Sequence, residues 1–556
     1  MDNRRLILLF IFLFSSYLLW NEWVKFNHPQ PVVANGAPAT STAANGAVPT
    51  PSATLPAAAV PGATASNPAA PVAGQTVTVK TDLVNADIST LGGDLVQMTL
   101  RNYQGTTDKS QPFTLFGANH RYAAQTGLIG DNLPNHKSLF KLLPGPLDMG
   151  TGNELKVALE ADTPDGVKVV KTYTFHRGTY LVDVGYDIVN GSTHPLNTHA
   201  YFQLLRDDKS PGGEPRMVNT YTGPAFYTES DKYHKVSFSD VDKGKAKLPQ
   251  PGTDGWVAMV QHYFVSAWVP RDKTPREFFL RNVTPAQNGQ PGTYAAGVIV
   301  PVSPVAPGAK TSIDVPLFAG PQIQSELEKV APGLNLVVDY GWLTIIASPI
   351  FWALEWIHKA VGNWGWAIVV LTVLIKLIFF PLSAASYKSM AKMRQITPRL
   401  QHIKEHFADD RQRMNQEMME LYRKEKINPL GGCLPIVIQI PVFIALYWVL
   451  LGAVEMRNAP WIGWITDLST ADPYYVLPVI MMISMFIQTR LNPTPPDPMQ
   501  AKMMMIMPMI FGVMFFFFPA GLVLYWVVNN ILSIAQQWQI TRMIGAASAA
   551  ANDAKA

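Results

Sequence analysis

The sequence predicts a protein of two parts, a large β-sandwich domain and an α-helical membrane core, with a separate anchor helix at the N terminus. Three observations predict this fold class. Only 15% of the 556 residues are charged while 48% are hydrophobic, so part of the chain avoids water. Apolar and polar residues alternate between 76 and 325, as in half-buried strands. Long apolar runs fill the last third, and some approach the ~20 residues that a bilayer crossing requires.

Residues 1–25 have the features of an export signal. Arg4 and Arg5 precede an uncharged apolar run, and no small-residue cleavage site follows directly after it. We therefore expect a retained transmembrane signal anchor, with a cleaved signal as the alternative. Residues 26–75 contain no Asp, Glu, Lys or Arg and are dominated by small residues and proline, so we expect a disordered linker that spaces the next domain from the anchor.

The β-sandwich domain is expected over residues 76–325. Val182, Val184 and Tyr186 alternate with polar residues, and Gly, Pro and Asn turns separate the candidate strands. The chain has a single cysteine, Cys433, which excludes an intrachain disulfide. An exported domain of this kind must therefore be stabilised by packing alone.

The helical part begins with a tryptophan-rich segment, 335–362, which we interpret as an amphipathic helix at the membrane interface. The core, 363–542, has predicted spans near 364–382, 434–454, 474–489, 503–518 and 521–540. Ten Lys and Arg residues lie between 383 and 428, so a predicted helical hairpin at 384–427 should be cytoplasmic. This orientation makes both termini cytoplasmic, including a short tail at 543–556. The 474–487 and 503–518 runs are short enough to predict local thinning of the bilayer.

Lys376 is the only charged residue within the five predicted spans of the core. An intramembrane charge costs ~2.5–3.5 kcal/mol on insertion scales, so Lys376 is the leading functional candidate. The alternative is that its long side chain reaches back to the cytoplasmic interface. Polar residues of neighbouring spans could line a wet cavity with it or could simply join the helices by hydrogen bonds. These polar residues are Thr372, Gln439, Gln488, Asn529, Ser533 and Gln536.

The hairpin carries apolar residues at helical spacing, including Met393, Ile396 and Leu400 on its first helix and Met418 and Leu421 on its second. The two helices can therefore pack on each other. We also expect this Met and Ile face to dock on the core and to capture substrates, with a merely solvated hairpin as the alternative.

Several function classes have no support in the sequence. A net charge of +4 over this length does not indicate direct nucleic-acid binding. No phosphate-binding loop, nucleophile elbow or zinc-protease motif is present, so we expect no catalytic residues, no cofactor and no metal, and hence no enzyme.

Four segments carry a resemblance to a known family: NPLGGCLP at 428–435, PVFIALYWVL at 441–450, DPYYVLP at 472–478 and FPAGLVLYWVVNN at 518–530. They resemble the YidC membrane protein insertases of the Gram-negative type. The resemblance implies a five-helix core around a hydrophilic groove in the inner leaflet, with one positive charge, and a periplasmic domain similar to the β-supersandwich fold. Lys376 takes the place where the family usually has Arg, which keeps the charge and loses the bidentate geometry.

The resemblance also extends the candidate site. It implies groove walls that include Ser383 and Trp526, and a hydrophobic slide for substrates that includes Ile440, Pro441 and Phe515. It implies insertion and chaperoning of inner-membrane proteins, alone or with the Sec translocon. Expected partners are nascent membrane proteins, the Sec translocon, the ribosome through the hairpin, and membrane lipids.

Two other functions remain open from the residues. The chain could be a small-solute transporter, although its spans lack Asp and Glu and show no evident two-fold repeat. It could also be a membrane-anchored periplasmic carbohydrate-binding protein.

Overall fold

The computed structural model describes residues 48–52, 74–106, 108–212, 220–287, 289–407, 410–425, 434–491 and 498–553. The predicted anchor, most of the linker and most of the 428–435 motif lie outside these residues.

Two antiparallel sheets build the β domain. Sheet 1 has the order β1-β2-β3-β5-β10-β16-β15, with β4 paired to β3, and sheet 2 has the order β12-β11-β13-β14-β17-β9-β8-β7-β6. The strands are β1 (Thr76–Lys80), β2 (Val84–Ser89), β3 (Leu95–Gln104), β4 (Pro112–Phe116), β5 (Ala123–Ile129), β6 (Lys141–Leu142), β7 (Glu154–Asp162), β8 (Val167–His176), β9 (Leu181–Asn190), β10 (His199–Asp207), β11 (Gly223–Tyr227), β12 (His234–Lys235), β13 (Trp256–Gln261), β14 (Phe264–Trp268), β15 (Glu277–Thr284), β16 (Thr293–Pro301) and β17 (Lys310–Pro321).

The alternating sequence of the strands gives each sheet one inner face. In β8 every second residue is buried, as the pattern predicts for a strand with one face on a core. The inner faces meet between the sheets, where Phe202 of β10 lies 5.2 Å from Trp268 of β14, ring centre to ring centre. The two-part fold of the sequence analysis, a β-rich domain followed by a helical region, is therefore present.

The helices follow the strands in the chain, apart from one short helix inside the β domain. They are α1 (Phe238–Asp242), α2 (Gln324–Val330), α3 (Thr344–Val361), α4 (Trp364–Ile378), α5 (Phe380–His406), α6 (Arg411–Lys424), α7 (Leu434–Gly452), α8 (Val476–Leu491), α9 (Pro498–Phe515) and α10 (Ala520–Asp553).

The helix α3 is apolar on both its buried and its exposed sides. Phe351 and Leu354 are buried against the rest of the protein, whereas Trp352 and Trp356 are 68% and 63% exposed. The helix ends at Gly362, whose φ of 73° is a left-handed conformation that glycine adopts without strain. Exposed tryptophans beside a packed face are typical of a helix that lies at a membrane surface.

By length and hydropathy, none of the helices in the described part of the chain is sufficient for a bilayer crossing on its own. The pair formed by α4 and the first part of α5, Phe380–Met390, meets those criteria together, and its two halves meet at an angle of 65°. The predicted span 364–382 is thus divided at Phe379.

The helix α10 is the centre of the helical region, because α4, α5, α7 and α8 all contact it. One hydrophobic cluster continues from the β domain into these helices. The packing therefore fixes which faces of α10 meet which neighbours.

Arg457, in the loop between α7 and α8, joins this helical region to the β domain. Its guanidinium carbon lies 5.1 Å from the ring centre of Phe113 and 5.3 Å from that of Phe264. The same side chain donates hydrogen bonds to the Gln104 carbonyl at 2.6 Å and to the Thr106 hydroxyl at 3.1 Å. A cation over aromatic faces with two further hydrogen bonds makes a specific contact between the two parts.

The hairpin of α5 and α6 differs from the sequence-based prediction in one respect. Ile396 and Leu400 are buried against Met393, Met418 and neighbouring residues of the two helices themselves. The prediction that this Met and Ile face docks on the core is therefore wrong, because the two hairpin helices bury the face between them.

Candidate functional site

Lys376 is buried near the end of α4 and points at α10. Its side chain is 7% exposed, and its ammonium donates a hydrogen bond of 2.7 Å to the hydroxyl of Ser533. That hydroxyl in turn donates to the Asn529 carbonyl at 2.7 Å, one turn earlier in α10. The ammonium is thus held inside the bundle by a hydroxyl.

The first turns of α5 complete the surroundings of Ser533. Tyr387 forms a side-chain hydrogen bond with Ser533, and Ser383, one turn earlier, is buried. The 65° bend brings this stretch of α5 alongside α10. Tyr387 was missed by the sequence analysis, and its spacing of four residues from Ser383 on one helix face is the signal that could have found it.

A second polar contact joins α10 to α8. The Asn530 amide donates to the hydroxyl of Ser484 at 3.2 Å, and the Gln537 amide donates to the Leu491 carbonyl at 3.2 Å. Asn530 lies on the side of α10 that faces α8, next to the Asn529 and Ser533 stripe that faces Lys376. The two faces of α10 therefore carry different polar contacts, one with a charge and one without.

The other residues that were predicted to line the groove do not form one cluster with Lys376. Thr372 is buried and bonds the Ile368 carbonyl of its own helix at 2.7 Å, which satisfies its hydroxyl locally. Gln439 and Gln488 are half-buried on α7 and α8. Buried atoms without a hydrogen-bond partner among the described residues include the indole nitrogen of Trp526 and Oε1 of Gln536. The first can still donate a hydrogen bond and the second can still accept one.

The three residues predicted as a hydrophobic slide lie in different environments. Ile440 is 46% exposed on α7, and Pro441 beside it is half-buried. Phe515 is only 1% exposed and packs against Trp526, with ring centres 5.4 Å apart. Phe515 is therefore part of the core and not of an accessible slide, because aromatic packing holds it inside the bundle.

The Lys376 site is distinguished by the lack of a negatively charged partner among the described residues. Within the described ranges, no carboxylate forms an ion pair with Lys376. The helices α4, α7, α8 and α9 contain no Asp or Glu at all. A buried ammonium with neutral hydrogen-bond partners can attract an anion that comes from outside the chain.

The described part of the chain holds no cluster of three or more His, Cys, Asp or Glu side chains suited to a metal ion.

Two family models match most of the chain. Residues 76–353 match the YidC periplasmic domain, and residues 356–547 match the 60Kd inner membrane protein family. The boundary between the two matches falls within α3.

A curated relative from Dechloromonas aromatica, described as membrane protein insertase YidC, is 62% identical over the full length of both chains. The chain belongs to the YidC membrane protein insertase family. A relative of the same description from Aromatoleum aromaticum is 58% identical and covers 98% of each chain. Among solved structures, an active YidC insertase with its first transmembrane domain resolved covers 84% of this chain and 93% of its own, with 18% identity and a TM-score of 0.39.

Family membership confirms the resemblance drawn from the four sequence segments. The YidC family descriptions assign the β domain to the periplasm and the helical region to the inner membrane. Lys376, Ser533 and Asn530 fall inside the region matched by the inner-membrane family model.

Proposed function

We propose that this chain inserts and helps fold inner-membrane proteins by attracting a hydrophilic client segment to the groove at Lys376. The client's hydrophobic helix would then leave sideways into lipid. One observation carries the proposal: the buried ammonium has a hydroxyl as its described side-chain partner and no carboxylate. A buried charge without a counter-ion is costly, and an acidic client residue would supply the missing charge for as long as it stays in the groove.

The attraction has a suitable size. Opposite charges 4 Å apart at an effective dielectric constant near 20 attract by about 4 kcal/mol before desolvation is subtracted. An interaction of that order recruits a segment and still lets it go. The proposed process forms no covalent intermediate and consumes no nucleotide, in keeping with a protein that is not an enzyme.

The apolar part of a client needs a different surface. The helices α7, α8 and α9 expose large apolar side chains, which in a lipid setting can contact either acyl chains or a client helix. In place of the buried Phe515, the exposed members of this surface are Ile440, Ile480, Ile483, Phe486, Met505, Met509, Ile510 and Val513.

Short helices support the proposed sideways exit. α8 has 16 residues and α9 has 18, which correspond to about 24 and 27 Å at 1.5 Å per residue, against ~30 Å of hydrocarbon. We propose that the bilayer is thinner beside these helices, so that the polar segment of a client crosses a shorter apolar distance.

The proposed topology is a multi-pass protein with both termini in the cytoplasm, following the excess of basic residues at 383–428. The helices α5 and α6 bury their apolar faces between them and leave Arg413, Arg423 and Lys424 exposed. We propose that this basic outer surface meets the ribosome. The Sec translocon and the surrounding lipids are further proposed partners.

Family membership supports insertion over the two other functions left open by the residues. The absence of Asp and Glu from α4, α7, α8 and α9 removes the usual ion-coupling groups of a solute transporter. Deletion of residues 76–320 separates insertion from a carbohydrate-binding role, because insertion should persist and sugar binding should not.

Photocrosslinking tests the proposal directly. A photoreactive amino acid at Gln439, on α7, should crosslink to a short membrane protein during its synthesis. Tyr474 is the control position, because it is 71% exposed in the loop before α8, on the predicted periplasmic side. Nascent-chain adducts at position 439 and not at 474 are expected, and equal labelling at both positions would contradict a groove-directed path.

A further inference from the structure

A short piece of the predicted linker, residues 48–52, lies on the outer face of sheet 1. Val48 packs against a small apolar cluster formed by Ile129 of β5, Tyr201 of β10 and Ile299 of β16. Pro49, the next residue, is buried. Composition alone predicted a disordered linker here, whereas residues 48–52 contact the β domain.

Ser52 fixes the other end of this segment. Its backbone N–H and its hydroxyl both donate to Oε2 of Glu277 on β15, each at 2.9 Å. Two donors on one carboxylate oxygen form a charge-assisted contact, which is stronger than a neutral one. Val48 and Ser52 thus place an aliphatic side chain and a double donor four residues apart.

Two glycines lie in the sheet face under the segment. A Cβ atom at Gly127 would lie 2.6 Å from the Tyr201 hydroxyl, and one at Gly297 would lie 2.5 Å from the Phe279 ring. Glycine at both positions lets these aromatic rings lie close to the sheet.

The same face of the sheet also has a histidine whose ring nitrogens lack described hydrogen-bond partners. His199 of β10 is 4% exposed, and neither of its ring nitrogens has a hydrogen-bond partner among the described residues. It lies within electrostatic reach of Glu277. A buried imidazole without a described hydrogen-bond partner calls for an explanation, and a polar ligand on this face would supply one.

The sequence VPTPS explains how such a short segment can bind. Pro49 and Pro51 fix their own φ angles and favour an extended segment, and this segment lies on the face of sheet 1 and not at its edge. Recognition must then come from side chains and from the Ser52 N–H. Little conformational entropy is lost on binding, because two of the five residues are prolines.

We propose that the outer face of β5, β10, β16 and β15 is a binding site for an extended, proline-containing peptide, and that the chain's own residues 48–52 occupy it. Residues 53–75 tether this peptide to β1, so its effective concentration at the site is on the order of millimolar. An intrinsic Kd near 0.1 mM, roughly one tenth of that concentration, is sufficient to keep the site about nine-tenths filled.

The test uses the full chain in lipid nanodiscs and a fluorine-labelled peptide of residues 47–53, AVPTPSA, observed by ¹⁹F NMR. A variant in which residues 48–52 are replaced by Gly-Ser-Gly-Ser-Gly should bind the peptide with a Kd of roughly 0.1 mM. The unmodified chain should bind it about tenfold more weakly, because its own segment competes.

Glu277→Gln in the Gly-Ser variant should weaken peptide binding by about tenfold, since it removes the charged acceptor of both Ser52 donors. Glu154→Gln, an exposed carboxylate on sheet 2, is the matched control and should leave binding unchanged. Equal binding to the unmodified chain and to the Gly-Ser variant would overturn the proposal. Equal binding of a peptide in which both prolines are replaced by alanine would also overturn it.

Discussion

Each half of the molecule buries a lysine, and the two lysines differ in their partners. In the β domain, Lys171 is fully buried and faces Asp94 at 3.7 Å, with the Gly92 carbonyl as a further acceptor. In the helical region, Lys376 is nearly as buried and bonds the Ser533 hydroxyl. Among the described residues the first charge has a carboxylate partner and the second has none. The first lysine therefore holds the fold together, whereas the second is the group that the proposed function assigns to the attraction of a client.

The surroundings of the two lysines reinforce this contrast. Burial raises the pKa of Asp94 and lowers that of Lys171, while the attraction between them opposes both shifts. Gln125 donates to Asp94 at 2.9 Å, and the Tyr173 and Tyr186 rings lie near the ammonium. In this network the charges of Asp94 and Lys171 oppose each other within the chain, and each group also has a neutral hydrogen-bond partner.

The largest expected effect comes from breaking the pair of Lys171 and Asp94. Lys171→Met leaves the Asp94 carboxylate buried without its cation, and it should reduce the free energy of unfolding of the β domain by about 3–5 kcal/mol. Pulse proteolysis of the full chain in nanodiscs measures the change. Adding Asp94→Asn to Lys171→Met should recover a substantial part of the loss, and a Lys171→Met chain as stable as the original would show that the pair has no structural role.

Arg457, at the junction of the two halves, should give a smaller effect than Lys171. Arg457→Ala removes two hydrogen bonds and the aromatic contacts, so local opening of the strand end at Gln104 should become easier by about 2 kcal/mol. Amide hydrogen exchange at Gly105 measures it, with about 30-fold faster exchange expected. Lys109→Ala is the control, because its ion pair with Asp467 is half-exposed and should contribute under about 1 kcal/mol.

The junction should also depend on pH through Glu455. Burial, with Glu355 and Glu326 nearby, raises the pKa of Glu455 to about 7. A raised carboxyl pKa means that the folded state holds its proton more tightly, so the contribution to stability is complete below about pH 4.5 and is lost as the pH rises to about 7. The difference should be about 3 kcal/mol at most, since the folded and unfolded pKa values differ by roughly 2.5 units.

Thermal unfolding of the full chain at pH 5 and pH 8 measures this dependence. Glu455→Gln should keep the low-pH stability at both values. If the original and the Gln variant show the same change between pH 5 and pH 8, then another group is responsible.

The smallest expected effect, and the one most directly tied to function, concerns the lysine of the helical region. Lys376→Arg should retain insertion because it keeps the charge, whereas Lys376→Ala should lower insertion of clients with acidic segments by about tenfold, or about 1.4 kcal/mol. Lys376→Glu should be worse. Clients without acidic residues should be affected less.

Protease protection of paired clients, with and without acidic residues, measures these outcomes in cells that lack the native protein and contain each variant. Equal insertion of acidic clients by the Ala and Lys chains would leave Lys376 with a purely structural role.

The sequence was sufficient to identify Lys376 and Ser533 separately, because a charge and a serine stand out in uncharged apolar runs. It could not pair them, since 157 positions separate them and the rotation of one helix against another is set by packing. Phe515 shows the same limit. In a membrane helix the lipid-facing and core positions are both apolar, so the pattern could not show that Phe515 is buried.

The β domain was easier to predict, because alternation separates the inner from the outer face of each strand. What the alternation could not show are contacts between distant segments. Arg457 meets Gln104 across 353 positions, and Ser52 meets Glu277 across 225. Both contacts depend on the tertiary arrangement and leave no local trace in the sequence.

The bend at Phe379 has a mechanical consequence. After the bend, α5 is helical for 27 residues, or about 40 Å, from the neighbourhood of Ser533 to the tip of the hairpin, with Pro398 inside it. Moved as one body, a helix of that length converts angle into displacement: a tilt of about 10° about its first turn moves its far end by about 7 Å. In the opposite direction, a displacement of several ångströms at the hairpin tip turns the Tyr387 end by only a few degrees. A partner that contacts the tip, as proposed for the ribosome, would therefore change the surroundings of Ser533 only slightly.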